Sequence, residues 1–177
     1  MEAFTNSNLE RLKNVSSIQE KGVGVMNEDS ILVGNNIFGV FDGAGSLNRY
    51  TDQEGKTGGY LASSTTKVVF SKNDKPLIAL AEEANSQLAK KMEKEAVDLS
   101  DKVNRWNTTV AVVRVKGKIF EWLQIGDSLI LVINKDKTYR LAGSFHNHDK
   151  DTIEKWKKLT GNKVKDVQAE LAPDILE

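Results

Sequence analysis

The stretch "SILVGNNIFGVFDGAGS", Ser30 to Ser46, decides the fold. Two β-branched and aromatic runs, "SILVG" and "IFGVF", are joined through Asn35-Asn36, in a "GNN" turn whose residue types tolerate positive φ. The pattern predicts an antiparallel hairpin. Its second run ends on a carboxylate, Asp42, followed by small residues. A strand that is apolar along its length and acidic at its end calls for an explanation.

Working outward on the N-terminal side, "KGVGV" (Lys21 to Val25) reads as a further strand, and "MNEDS" carries Glu28 and Asp29. A hairpin turned at Asn35-Asn36 brings residues near Glu28 opposite those near Asp42, so the carboxylates meet at one rim of the sheet. A further acid, Asp127, occupies the "QIGDS" turn at a comparable strand end. Crowded carboxylates repel unless a cation neutralises them, and hard oxygen ligands suit magnesium or manganese. Gly43 fits, because a residue without Cβ lets its carbonyl approach an ion closely. Asp-Gly and Gly-Asp are also ordinary turn dipeptides. Spacing alone leaves both readings open.

Farther along, small residues from Gly55 to Ser64 lead into "KVVF" and predict a helix whose small face packs closely on the sheet. In "PLIALAEEANSQLAKKMEKEA", Leu77, Leu80, Ala81, Ala84, Leu88, Met92 and Ala96 recur at helical spacing, with Pro76 in the first turn. "TTVAVVRV", "KIFEWLQI", "SLILVIN" and "TYRLAG" then read as a four-strand antiparallel meander turning at "KG", "GD" and "KDK". A last helix is expected over residues 150–159, capped by Gly161. Strands in runs, rather than alternating singly with helices, argue for an α+β layered fold with antiparallel sheets. A length of 177 residues suits one domain spanning 1–177.

Composition narrows the function. The 25 basic and 25 acidic residues cancel, which gives no global field toward nucleic acid or an anionic membrane. With no cysteine there is no disulfide, thiolate nucleophile or Cys-based zinc site. The polar opening "MEAFTNSNLERLKN" lacks a signal-peptide core, and no run approaches the roughly 18 apolar residues of a membrane span. The expectation is a soluble cytoplasmic protein. "QEGKTGG" ends like a phosphate loop but has Tyr50 where that motif needs glycine. His146 and His148 in "FHNHD" alternate as in some metal sites, yet lack a third ligand and read as a polar loop. Trp106, Trp122 and Trp156 read as packing residues, since no basic patch surrounds them.

"NEDS" (27–30), "FGVFDGAGS" (38–46), "GKTGGYLAS" (55–63), "NTTVAVVRV" (107–115) and "QIGDSLILVI" (124–133) occur in this order. Together they resemble the metal-dependent type 2C Ser/Thr protein phosphatases, particularly short bacterial members. The resemblance implies a four-layer α-β-β-α sandwich of two antiparallel sheets, with two Mn²⁺ or Mg²⁺ ions at one end. It implies hydrolysis of phosphoserine and phosphothreonine in phosphoproteins by a metal-bound hydroxide. By motif, Asp42 would bridge both ions, Gly43 would give its carbonyl to one, and Glu28 would hold the same ion through water. Asp29 and Asp127 would orient water and ligands.

Three departures accompany the resemblance. Gly24 stands where the family commonly has an Arg that grips the substrate phosphate, leaving Lys21 or Arg49 to take that part. Ala44 stands where many members have a His that protonates the leaving group. The family's later metal-binding Asp motifs do not appear beyond Asp149, so the chain is expected to be a truncated piece with its C-terminal strands missing. His148, beside Asp149, is a substrate-side candidate. A catalytically inactive, regulatory or protein-binding domain is the alternative reading, and open sheet edges predict a homodimer.

Overall fold

The hairpin forms with the predicted strands. In the computed structural model, which describes residues 14–143, 149–161, 166, 167, 170 and 171, β1 (Ser30–Val33) pairs antiparallel with β2 (Ile37–Phe41). The register runs from Ser30↔Phe41 to Val33↔Phe38. Gly34 N–H closes the turn on the Ile37 carbonyl at 2.9 Å. None of the turn residues needs positive φ, contrary to the reading of "GNN".

The chain continues through β3 (Gly43–Ala44), α1 (Gly58–Ser71), α2 (Leu77–Lys94), a 3₁₀ turn (Lys102–Asn104), β4 (Asn107–Thr108), β5 (Val110–Lys116), β6 (Ile119–Ile125), β7 (Ile130–Ile133), β8 (Tyr139–Ala142) and α3 (Asp149–Gly161). The Thr57 hydroxyl opens α1 by accepting the Tyr60 N–H. Pro76 is the N-cap of α2, one position before the expected first turn, where its missing N–H costs no helical bond. Gly161 lies inside α3 and does not cap it in a left-handed conformation.

Period-two patterning decides the layers. On β1, β2 and β5, Leu32, Ile37, Phe41, Val110 and Val112 face the helices and pack with Val69, Phe70, Leu77 and Leu80. Each of these buried side chains contributes about 1.5–3 kcal/mol relative to an exposed one. The opposite face carries Ala111 and Val113, which pack against Ile130, Val132 and Ala142 of β7 and β8. The layers are therefore helices, a β1-β2-β5-β6 sheet and a separate β7-β8 hairpin, with α3 next in the chain. This is the antiparallel two-sheet arrangement expected.

Two strand expectations are corrected. Residues 21–25 form no strand: Val23 and Val25 are solvent-exposed and find no partner strand among the described residues. The meander is not one sheet either. It breaks at Gly126 (φ 81°), where the chain leaves β6 and crosses to the second layer.

The small face of α1 does pack closely. A Cβ on Gly58 would come within 2.4 Å of the Trp106 ring, which is 1% exposed, and Tyr50 stacks on that ring at 4.5 Å. Trp106 is thus a core residue. Trp122 and Trp156 are about half exposed.

Candidate metal centre

The site begins with the backbone of Asp42, one residue past β2. Its carbonyl accepts the Thr109 N–H and the Thr108 hydroxyl, both at 2.9 Å, and its own N–H donates to Thr109 Oγ1 at 3.2 Å. Gly43 and Ala44 then pair with Thr108 and Asn107. Asp42 is clamped from both sides by the segment entering β5, so the direction of its side chain is set by the sheet.

The hairpin supplies the second edge. Extending the β1-β2 register one pair beyond Ser30↔Phe41 sets Asp29 opposite Asp42. The Asp29 carboxylate lies close enough to raise the Asp42 carboxyl. Glu28 follows opposite Gly43, and its carbonyl accepts the Ser63 hydroxyl. Because Ser63 has a single proton to give, Ser30 Oγ donates to Ser63 Oγ at 3.1 Å. Ser63 is fully buried, so α1 fixes the Glu28 backbone from below.

Glycines make this contact close enough. A Cβ on Gly43 would lie 2.3 Å from the Gly59 carbonyl oxygen and 2.4 Å from that of Glu28. A Cβ on Gly59 would lie 2.7 Å from Glu28 Oε2 and 2.8 Å from the Gly43 carbonyl oxygen. The Glu28 carboxylate and the Gly43 carbonyl therefore converge over the N-terminal turn of α1.

Asp127 comes from the turn after β6. The turn is held against the same segment by the Thr109 Oγ1–Ser128 Oγ hydrogen bond at 2.5 Å and by the approach of Gly126 to Thr109. Partial burial at the strand end, then the neighbouring Asp29, then Asp127 and Glu28, push the Asp42 carboxyl above its ordinary value of 3.8. A cluster of carboxylates is chemically matched to a hard divalent ion.

Among the described residues, no group of three or more Asp, Glu, His or Cys side chains is placed to hold a metal ion. The oxygens the fold gathers here are those of the Asp42 and Glu28 carboxylates and the Gly43 carbonyl, hard donors of the kind a divalent ion takes.

The profile of the protein phosphatase 2C family matches residues 21–166. The chain belongs to this family. Three solved phosphatases share the fold. The serine/threonine phosphatase PstP/Ppp of Mycobacterium tuberculosis is 21% identical with a TM-score of 0.58, over 75% of this chain and 54% of that one. A PstP catalytic domain in complex with two manganese ions is 23% identical with a TM-score of 0.57, over 77% and 56%. The PPM Ser-Thr phosphatase MsPP of Mycobacterium smegmatis, in complex with cacodylate, is 18% identical with a TM-score of 0.53, over 86% and 58%. The chain thus spans little more than half the length of these relatives. No curated protein matches it.

Other sequence candidates fall differently. Arg49 is exposed on the segment between β3 and α1, with no ion pair to the four carboxylates among the described residues. Lys21 is exposed, and its amine donates to the Val25 carbonyl at 3.3 Å. Gly24 is exposed, and Ala44 is the outer residue of β3. His146 and His148 lie outside the described residues. Sequence reading gave no task to Thr108 or Thr109 and saw Ser63 only as part of the small face of a helix, not as the hydroxyl that holds the Glu28 backbone. The double threonine at the entry to a strand was the only trace of the first two.

No helix among the described residues is long and apolar enough to cross a membrane.

Proposed function

We propose that residues 1–177 act as one phosphatase-like domain that hydrolyses phosphoserine and phosphothreonine in proteins, with Mn²⁺ or Mg²⁺ as cofactor. Family membership supports the reaction class. The observation that carries the reading is the gathering of carboxylates at Asp42, with the Glu28 carboxylate and the Gly43 carbonyl converging over the start of α1.

In this proposal Asp42, the Gly43 carbonyl and Glu28 hold the ions, and a full pair of ions is the state in which the site works. When bound, divalent ions supply an activated water for in-line attack on phosphorus and offset charge on the phosphoryl oxygens. Asp29 and Asp127 accept hydrogen bonds from water at the rim and keep it oriented toward the phosphoryl group. Thr108 and Thr109 hold the Asp42 backbone, so the carboxylate meets its ligand without reorganising. Arg49 and Lys21 are the cations nearest in sequence to the site for gripping a phosphate, with His148 a further substrate-side group. The absence of cysteine suits a reducing compartment, and a cytoplasmic location belongs to the same proposal. Pairing with a second copy through an open strand edge belongs to it as well.

A second reading, a regulatory or protein-binding domain without turnover, is favoured by Gly24 and Ala44, which put no phosphate-gripping or proton-donating group at two family positions. Hydrolysis of p-nitrophenyl phosphate with millimolar Mn²⁺ separates the two. The enzyme reading predicts turnover that needs Mn²⁺ and falls at least about 100-fold in Asp42→Asn. No turnover, together with no Mn²⁺-dependent rise in Tm, removes it.

A further inference from the structure

β6 is an edge strand with few of the usual protections within its own seven residues. It pairs with β5 on one side only, from Val110↔Ile125 to Lys116↔Ile119, and is the last strand of its sheet among the described residues. Native edges are blunted by lysine, proline or a bulge. Over seven residues, "IFEWLQI", β6 has none of these. Its one charge, Glu121, is neutralised by Arg114 at 2.7 Å and Lys116 at 3.1 Å. Ile119, Trp122 and Ile125 are 65%, 44% and 46% exposed.

Below the far end of this edge, between β6 and α2, runs a groove of about 520 Å³ lined by Ile125, Ile78, Ala81, Glu82, Phe70 and Leu88. The two ends of the strand also carry opposite charge. Lys116 and Lys118 flank its start, and Asp127 follows its end. An edge with a basic start, an acidic end, an exposed isoleucine at one end and an apolar groove at the other is self-complementary when turned antiparallel on itself.

We propose that β6 is the interface for a second copy of this chain, paired antiparallel about a two-fold axis through Trp122 to form one continuous eight-stranded sheet. In that register Trp122 faces the partner's Trp122, and Glu121 faces the partner's Leu123 instead of its own copy. The partner's Ile119 lies beside Ile125, over the α2 groove, and the partner's Lys118 lies beside Gly126 and Asp127. The two-fold axis perpendicular to the sheet keeps helix faces on one side. This pairing rests on the β6 edge, the α2 groove and the charges at the strand ends, of which Asp127 also belongs to the candidate metal centre, and its test reads association rather than turnover.

The chain has no cysteine, so Trp122→Cys carries a single thiol. On the axis, paired Cα atoms are about 4.5–5.5 Å apart, within disulfide reach. Sedimentation of the chain up to high micromolar concentration is expected to show a dimer, and mild oxidation is expected to cross-link Trp122→Cys but not Gln124→Cys. Ile119→Glu, which faces Glu82 across the interface, should weaken the dimer at least about tenfold. Its circular dichroism spectrum should match that of the parent. A monomer at every concentration, with the edge left to another protein or another segment, overturns the proposal. So does a dimer that Ile119→Glu leaves unchanged, or one that cross-links as well through Gln124→Cys.

Discussion

Asp42 is pinned to Thr109 through its backbone: its carbonyl accepts the Thr109 N–H at 2.9 Å and its own N–H donates to Thr109 Oγ1 at 3.2 Å, at a strand end where the Asp29, Asp127 and Glu28 carboxylates lie near its own. Carboxylates gathered in this way repel one another unless a cation lies between them. The hairpin register, with the Thr108-Thr109 clamp and the glycines beneath, is what keeps them there.

The closeness of β3 to α1 is the part most sensitive to volume. A methyl on Gly43 meets two backbone carbonyl oxygens that cannot turn away. Gly43→Ala is therefore expected to destabilise the fold by about 1–3 kcal/mol, lowering Tm by about 2–4 °C per kcal/mol at this length. Gly22→Ala, whose Cβ meets nothing within 4 Å, should leave Tm within about 1 °C. Thermal melts of both variants check the difference.

Gly24 is open enough to be filled. A Cβ there meets only the Met26 carbonyl oxygen, at 3.3 Å. On the enzyme reading, Gly24→Arg restores a bidentate phosphate contact and should lower KM for a phosphate monoester about tenfold with little change in kcat. Steady-state kinetics in Mn²⁺ provide the check. An unchanged KM would mean that position 24 does not face the substrate.

Acid sensitivity has a defined origin in the helices. Hydrogen bonds from Lys72 (2.6 Å) and then Lys75 (2.5 Å) hold the Glu83 carboxyl down to about 2, from an ordinary 4.5. A depressed carboxylate contributes stability above its unfolded value, and that contribution is lost as pH falls from about 4.5 toward 2. Glu83→Gln should thus melt below the parent at about pH 6, with the gap closing by about pH 2. A gap that stays constant with pH would place the effect elsewhere.

Much of this was readable in the residues. Counting from the Asn35-Asn36 turn put Glu28 near Asp42, because a two-residue period leaves little freedom once one face is buried. The same period does not say which sheet a strand joins. "SLILVIN" looks like the next meander strand, and only the turn at Gly126, locked to Thr109, sends it to the second layer. "KGVGV" has strand composition but two glycines, and among the described residues nothing covers its valines, so composition misled. The hydroxyls of Thr108, Thr109 and Ser63 act on backbone atoms far away in sequence, which no local pattern reports.

The central claim is that the Asp42 cluster binds a divalent cation. Calorimetric titration of Mn²⁺ into the chain and into Asp42→Asn tests it directly. Binding to the parent, weakened about 10–100-fold in Asp42→Asn, is the predicted result. Equal binding by the two proteins, or none by the parent, would contradict it.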